Sequence, residues 1–302
     1  MTQPVMVGLD GSPESQAAAE WAAREAELRR LPLRLVHVWE PLPQPTVQAP
    51  LLGAETQQRW SRKVPRESAE GLRLRHPGVE VTAEDLSGPP AILLAGLARE
   101  AELLVLGSRG LSGITGFLVG SVGQAVVARA TRPVVLVRAG EQAADEHRMD
   151  PAGIPSAATP YRPVVLGLAT EREPDPALLG FAFEAAAHRA TALRVVHGWH
   201  PPPYYAFGLA ADPGFHDQLS GREATALRDL LRPWRQKYPS VEVVEECRHG
   251  PAADHLTAAS RDACLVVVGR GTRRSTLGAR IGPVTHAVLH HAAVPVAVVA
   301  HG

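Results

Sequence analysis

The residues with the clearest chemical potential are Gly107-Ser108-Arg109-Gly110 and, nine positions on, Gly120-Ser121. They follow the apolar run Leu103–Leu106. A buried strand that ends in glycine, opens a glycine-rich loop and reaches Gly-Ser at a helix start suits an anion. Glycines let backbone amides approach phosphate oxygens. The helix start adds unpaired N–H donors and a favourable dipole. No Gly-Lys-Ser/Thr is present, so this is not a Walker loop, and the spacing is not that of the dinucleotide fingerprint. An ordinary glycine-rich strand-to-helix connection is the competing reading.

These residues need elements to hold them. Apolar runs at Val5–Leu9, Leu33–Trp39, Val79–Ala83, Leu103–Leu106 and Val134–Val137 alternate with amphipathic stretches near Pro13–Arg30, Ala54–Arg75, Pro89–Glu100 and Ser121–Ala130. Pro13 and Pro89 suit the first turn of a helix. Trp21 and Leu28 fall two turns apart, as a core stripe would. Strands alternating with helices predict a parallel sheet covered on both faces. Ligands in such folds sit beyond the carboxyl ends of the strands. Asp10, at the end of the first run, Val38, at the end of the second, and the Gly107 loop therefore fall at one crevice.

The chain is this pattern written twice. Leu33-Arg34-Leu35-Val36-His37-Val38-Trp39 returns as Leu193-Arg194-Val195-Val196-His197-Gly198-Trp199, and Gly107, Gly120 and Pro133 return as Gly269, Gly282 and Pro295 at one constant offset. The second set of strands is expected at Pro163–Leu168, Leu193–Trp199, Val241–Glu246, Leu265–Val268 and Val296–Val299. The expected organisation is a first domain at 1–140, a linker rich in Ala, Pro and charge at 141–160, and a second domain at 161–302.

The start Gly8-Leu9-Asp10-Gly11-Ser12, the Val36-His37-Val38 strand and the Gly-x2-Gly-x9-Gly-Ser motif together resemble the universal stress protein family, specifically its ATP-binding class. The resemblance covers nearly all of the first half and, more weakly, the second. It implies two tandem α/β domains of Rossmann-like, adenine-nucleotide α-hydrolase-like fold, each with a five-stranded parallel sheet. It implies ATP as ligand, accompanied by magnesium, although no carboxylate cluster marks a dedicated metal cage. Gly8, Asp10, Val38, Gly107, Ser108, Arg109, Gly110, Gly113, Gly120, Ser121 and Val122 are the cofactor-binding candidates, with no catalytic or metal residue. Asp10 would serve the nucleoside end, Val38 would present main-chain groups to adenine, and the glycines and Ser121 would hold the phosphates. Asp10 also reads as a plain turn or cap aspartate, and Arg109 as a solvated side chain.

The second copy lacks part of this set. Asp10 corresponds to Ala169, Gly110 to Thr272 and Ser121 to Pro283. An acceptor, a permissive backbone and a helix-start donor disappear. Losing three such contacts costs up to about 4–5 kcal/mol. ATP is therefore expected in the first domain only. Arg270, Arg273, Arg274 and Arg280 crowd the second loop and read either as a solvated face or as an anion site.

Composition bounds the rest. The formal net charge of +0 favours neither nucleic acid nor an anionic membrane. No apolar run reaches the length of a membrane span. The N-terminus enters a strand pattern directly, and Cys247 and Cys264, both read as buried strand residues, make no disulfide framework. A reduced, cytoplasmic protein is expected. His286 and His290, one helical turn apart, lack further ligands at metal spacing. The apolar last strands of the two domains are expected to pair internally, which would remove an exposed edge, and the whole chain to form a homodimer. Two other functional classes stay open: a slow ATPase or phosphoryl-transfer enzyme, and a scaffold without nucleotide.

Overall fold

The computed structural model describes residues 2–40, 52–110, 117–118, 120–170, 175–201, 213–271 and 281–302. The chain divides into two compact units, Met1–Gln142 and Ala143–Gly302. No described helix is long and apolar enough to cross a membrane.

The first unit runs β1 (Val5–Leu9), α1 (Pro13–Arg29), β2 (Leu33–Trp39), α2 (Leu52–Arg75), β3 (Val81–Ser87), α3 (Pro90–Leu97), β4 (Leu103–Gly110), β5 (Phe117–Leu118), α4 (Ser121–Arg129) and β6 (Val134–Arg138). Five of these strands form a parallel sheet in the order β3-β2-β1-β4-β6. Helices α1 and α2 pack together on the sheet, as do α3 and α4. β1 is buried along its whole length, as a strand with helices on both sides must be. The order turns between β1 and β4, so their carboxyl ends open a crevice there.

Helix α1 is dictated by small residues. Ser12 caps it, its side chain accepting from the Ser15 N–H, and Pro13 sits in the first turn. Ala18, Ala22, Ala23 and Ala26 are fully buried, with Trp21 beside them. Short side chains let the helix backbone lie close to the sheet. Leu28 of the expected stripe is only half-buried, because the alanine face rather than the Trp21–Leu28 line meets the sheet. At Gly107 the approach is closest. A Cβ there would lie 2.6 Å from the Glu14 carbonyl carbon and 2.7 Å from the Ser15 nitrogen.

The third strand starts later than the Val79–Ala83 run suggests. Val79 is buried in the preceding turn, its N–H donating to the His76 carbonyl. β3 then continues through Glu84 and Asp85. It pairs only with β2 in this unit, and such a strand carries polar residues that hide its periodicity.

The second unit repeats the plan: β7 (Val164–Gly167), α5 (Pro176–His188), β8 (Leu193–Trp199), α6 (Pro213–Lys237), β9 (Val243–His249), α7 (Ala252–Ala259), β10 (Leu265–Gly271), α8 (Pro283–His291) and β11 (Val296–His301). Its parallel order is β11-β10-β7-β8-β9. Phe183 of α5 stacks against Trp234 of α6, and α7 packs on α8. β9 is shifted from the expected Val241–Glu246 for the same reason as β3. Cys247 is only partly buried, and Cys264, fully buried, precedes β10 by one residue. Burial and the Glu223 charge push the Cys247 thiol up.

The segment before β7 is folded onto this unit. The Arg148 N–H donates to the Pro160 carbonyl and the Arg162 N–H to that of Glu146, each at 2.9 Å. His147 pairs with Tyr161 in an antiparallel bridge. The buried carboxylate of Glu146 faces the buried guanidinium of Arg189 at 3.9 Å.

Gly107→Ala should lower stability by about 1–3 kcal/mol, the usual cost of overpacking. A urea midpoint equal to that of the parent would contradict the close approach of α1.

Candidate functional site

Gly8, Asp10, Val38, Gly107, Gly120, Ser121 and Val122 line one cleft at the carboxyl ends of β1, β2 and β4, with a volume of about 210 Å³. Its floor is sheet. Gly8 lies between Val36 and Leu106 in the strand register, and a Cβ on Gly8 would meet Leu106 at 2.6 Å. Val38 is the last strongly buried residue of β2. Its neighbour His37 is held under the sheet end by the Asp85 carboxylate, Nδ1 to Oδ1 2.8 Å.

Asp10 is exposed at the end of β1 and makes a tight turn into α1. Its Oδ1 accepts from the Ser12 N–H at 3.0 Å and from the Ser12 hydroxyl. The helix cap itself is Ser12, so the carboxylate is oriented by the cap rather than spent as one. At the other end of the cleft, α4 begins after Gly120, and among the described residues no side chain caps it. Its first bond back to Gly120 comes from Gln124. The amides of Ser121, Val122 and Gly123 thus form an uncapped helix start beside the cleft.

The structure departs from the expected loop at one point. Ser108, Arg109 and Gly110 remain extended within β4, and Arg109 and Gly110 pair antiparallel with Leu118 and Phe117 of β5. The two-residue β5 has no periodicity to announce it, and its pairing keeps the backbone straight past Gly107. Ser108 is buried in the strand and does not line the cleft. Arg109 and Gly110 are described as backbone only, and Gly113, with Ser112 and Thr115, lies outside the described residues. Ser12, Glu14, Ser15, Pro90 and Leu94 also line the cleft and escaped the sequence reading. The Ser12-Pro13 capping signature was the signal for the first three.

The corresponding cleft of the second unit has the same strands and different walls. Ala169 stands at the Asp10 position and is exposed. Pro283 opens α8 after Gly282 and carries no N–H. Asp175 replaces Ser12 as the helix cap, its carboxylate accepting from Ala177 N–H and Gly302 N–H, both at 2.8 Å. A Cβ on Gly269 would meet the His301 ring at 2.7 Å instead of a helix backbone. Thr272 and three of the four arginines, Arg273, Arg274 and Arg280, lie outside the described residues, as do Tyr204, Tyr205 and Phe207. Arg270 is buried, and burial lowers its pKa. Among the described residues, no group of three His, Cys, Asp or Glu could hold a metal ion.

A parallel sheet of this order, present once in each unit with a cleft at the carboxyl ends of its strands, is a tandem α/β architecture. The profile of the universal stress protein family matches residues 1–138 and 160–300, and the chain belongs to that family. A universal stress protein of Mycobacterium tuberculosis is 32% identical over 309 aligned residues, which cover 97% of this chain and 96% of that protein. One from Mycolicibacterium smegmatis is 30% identical over 305, covering 98% and 96%. The crystal structure of a universal stress protein from Archaeoglobus fulgidus covers 100% of both chains with a TM-score of 0.69 at 16% identity, a likeness of fold.

Asp175 provides a pH test. Hydrogen bonds from the Gly302 and Ala177 amides hold its pKa below the usual 3.8. The charged form therefore stabilises the fold above pH 3.8, and that contribution fades as pH falls through the depressed value. The stability difference between the parent and Asp175→Asn should be largest near neutrality and shrink in acid. A difference constant from pH 7 to pH 2.5, on the order of the full carboxylate titration range, would show that these bonds do not depend on its charge.

Proposed function

We propose that the protein is an ATP-binding regulator of the stress response that holds one nucleotide, in its first unit. The observation that carries this reading is the uncapped start of α4 at Gly120, facing the same cleft as the Asp10 carboxylate. The two ends differ in the way ATP differs. Amide donors with a positive helix end complement phosphate, and an oriented carboxylate complements the hydroxyls of a ribose or the amine of adenine. Gly107 supports the site indirectly by letting α1 lie against β4. Magnesium would enter with the phosphates, which supply the oxygen ligands it prefers. Occupancy would set the conformation, and so the surface presented to a partner.

The second unit supports a count of one. It has no carboxylate at position 169, no amide proton at 283, and a histidine ring over Gly269.

Titration calorimetry on the intact chain should therefore approach one ATP per chain. A Cβ on Gly120 would meet no atom of the described residues within 4 Å, so Gly120→Val should fold normally while obstructing the helix start. Asp10→Ala and Gly120→Val should each weaken ATP binding at least about tenfold, as loss of a hydrogen bond to a charged group does. Two equivalent sites, or parental affinity in both variants, would refute the assignment.

A further inference from the structure

The second unit keeps a cleft where the first has one, and it is the roomier of the two: about 510 Å³ against about 210 Å³. The larger figure falls in the range of small-molecule sites, about 300–1,000 Å³. Its walls have changed in kind. Where the start of α1 offers Ser12, Glu14 and Ser15, the start of α5 offers Asp175 and Leu178. Pro90 becomes Ala252, and Gly123 becomes Thr285. Small residues at Ala169, Gly198 and Ala252 leave the space open, and Leu256, Val268 and Val284 make its surface apolar.

Among the described lining residues the polar side chains are Asp175, Thr285 and His301, with no lysine or arginine. The Thr285 hydroxyl spends its only proton on the Gly269 carbonyl at 2.7 Å, so it can act toward a ligand as an acceptor only. The Asp175 carboxylate is fixed by two backbone amides, yet each of its oxygens retains a second lone pair. The site therefore offers an anchored acceptor at the mouth of an apolar cavity. Among the described lining residues phosphate finds no lysine or arginine, and the end nearest Gly269 is filled by the His301 ring.

We infer that the second-unit cleft is a binding site for a small uncharged apolar molecule that carries one hydrogen-bond donor, which it gives to Asp175. The donor makes a charge-assisted bond, and the remainder of the molecule buries apolar surface against Leu256, Val268 and Val284. This site is independent of ATP in the first unit. Val284 is 37% exposed, on the first turn of α8, where an acidic residue suits the helix dipole. Val284→Glu thus puts a charge on the apolar wall without disturbing the fold.

The test uses 2-naphthol as a fluorescent probe on the full chain, with 2-methoxynaphthalene as its donor-free counterpart. One molecule of 2-naphthol should bind per chain, at least about tenfold tighter than the methoxy compound, the worth of a hydrogen bond to a charged acceptor. Val284→Glu should abolish binding while ATP titration and the circular dichroism spectrum stay parental. Saturating ATP should leave the probe in place. No binding, equal affinity for both probes, parental binding by Val284→Glu, or displacement by ATP would each overturn the inference. The probe result stands whether or not ATP binds the first unit, so the two readings fail separately.

Discussion

The architecture of the first unit depends on one missing atom. Gly107 has no Cβ, and the backbone of α1 at Glu14 and Ser15 fills the place where one would be. The consequence runs outward. The helix start sits against the end of β4, and its Ser12 cap holds the Asp10 carboxylate in the cleft that Gly120 also lines. The alanine face of α1 serves the same end, since larger side chains would hold the helix away from the sheet. Van der Waals contact between backbone and backbone thus sets the width of the polar cleft.

The second unit shows the same sheet with that constraint released. Gly269 is still glycine, but its neighbours are the side chains of His301 and Leu178. Close backbone approach has moved elsewhere, to Gly198, where a Cβ would lie 2.5 Å from Ala252 at the start of α7. One glycine position relaxed and another tightened, and the cleft between them became wider and more apolar. Duplicated folds diverge readily in this manner, because strand order and core survive while loop and cap residues change the chemistry.

Much of this was legible from the chain. Strand β1 and the buried start of β10 announce themselves as continuous apolar runs because both faces are covered. Gly107, Gly120 and Asp10 converge because a parallel topology brings strand ends together. Less legible were residues whose meaning depends on partners far along the chain. Glu84 and Asp85 look like loop residues, yet Glu84 pairs with Arg34 at 2.7 Å and Asp85 with His37. β5 has two residues and no pattern to read. His301 gives no sign in its own surroundings that it reaches Gly269, since that contact is made by tertiary structure alone. Asp175 stands before Pro176 as a cap does, but its second bond, from Gly302, is made by tertiary structure alone.

The folded segment ahead of β7 decides what counts as a self-sufficient fragment. Residues 160–300, the span that the family shares, omit Glu146 and His147, although both are buried in the second unit. A chain beginning there would strip Glu146 from the buried guanidinium of Arg189 and remove the carbonyl that receives the Arg162 amide. Breaking a buried pair from one side is far more damaging than never having had it. A fragment of the second half that keeps these two buried polar residues must therefore start at Ala143 or before, even though Met149 and Ile154 of the same stretch lie exposed.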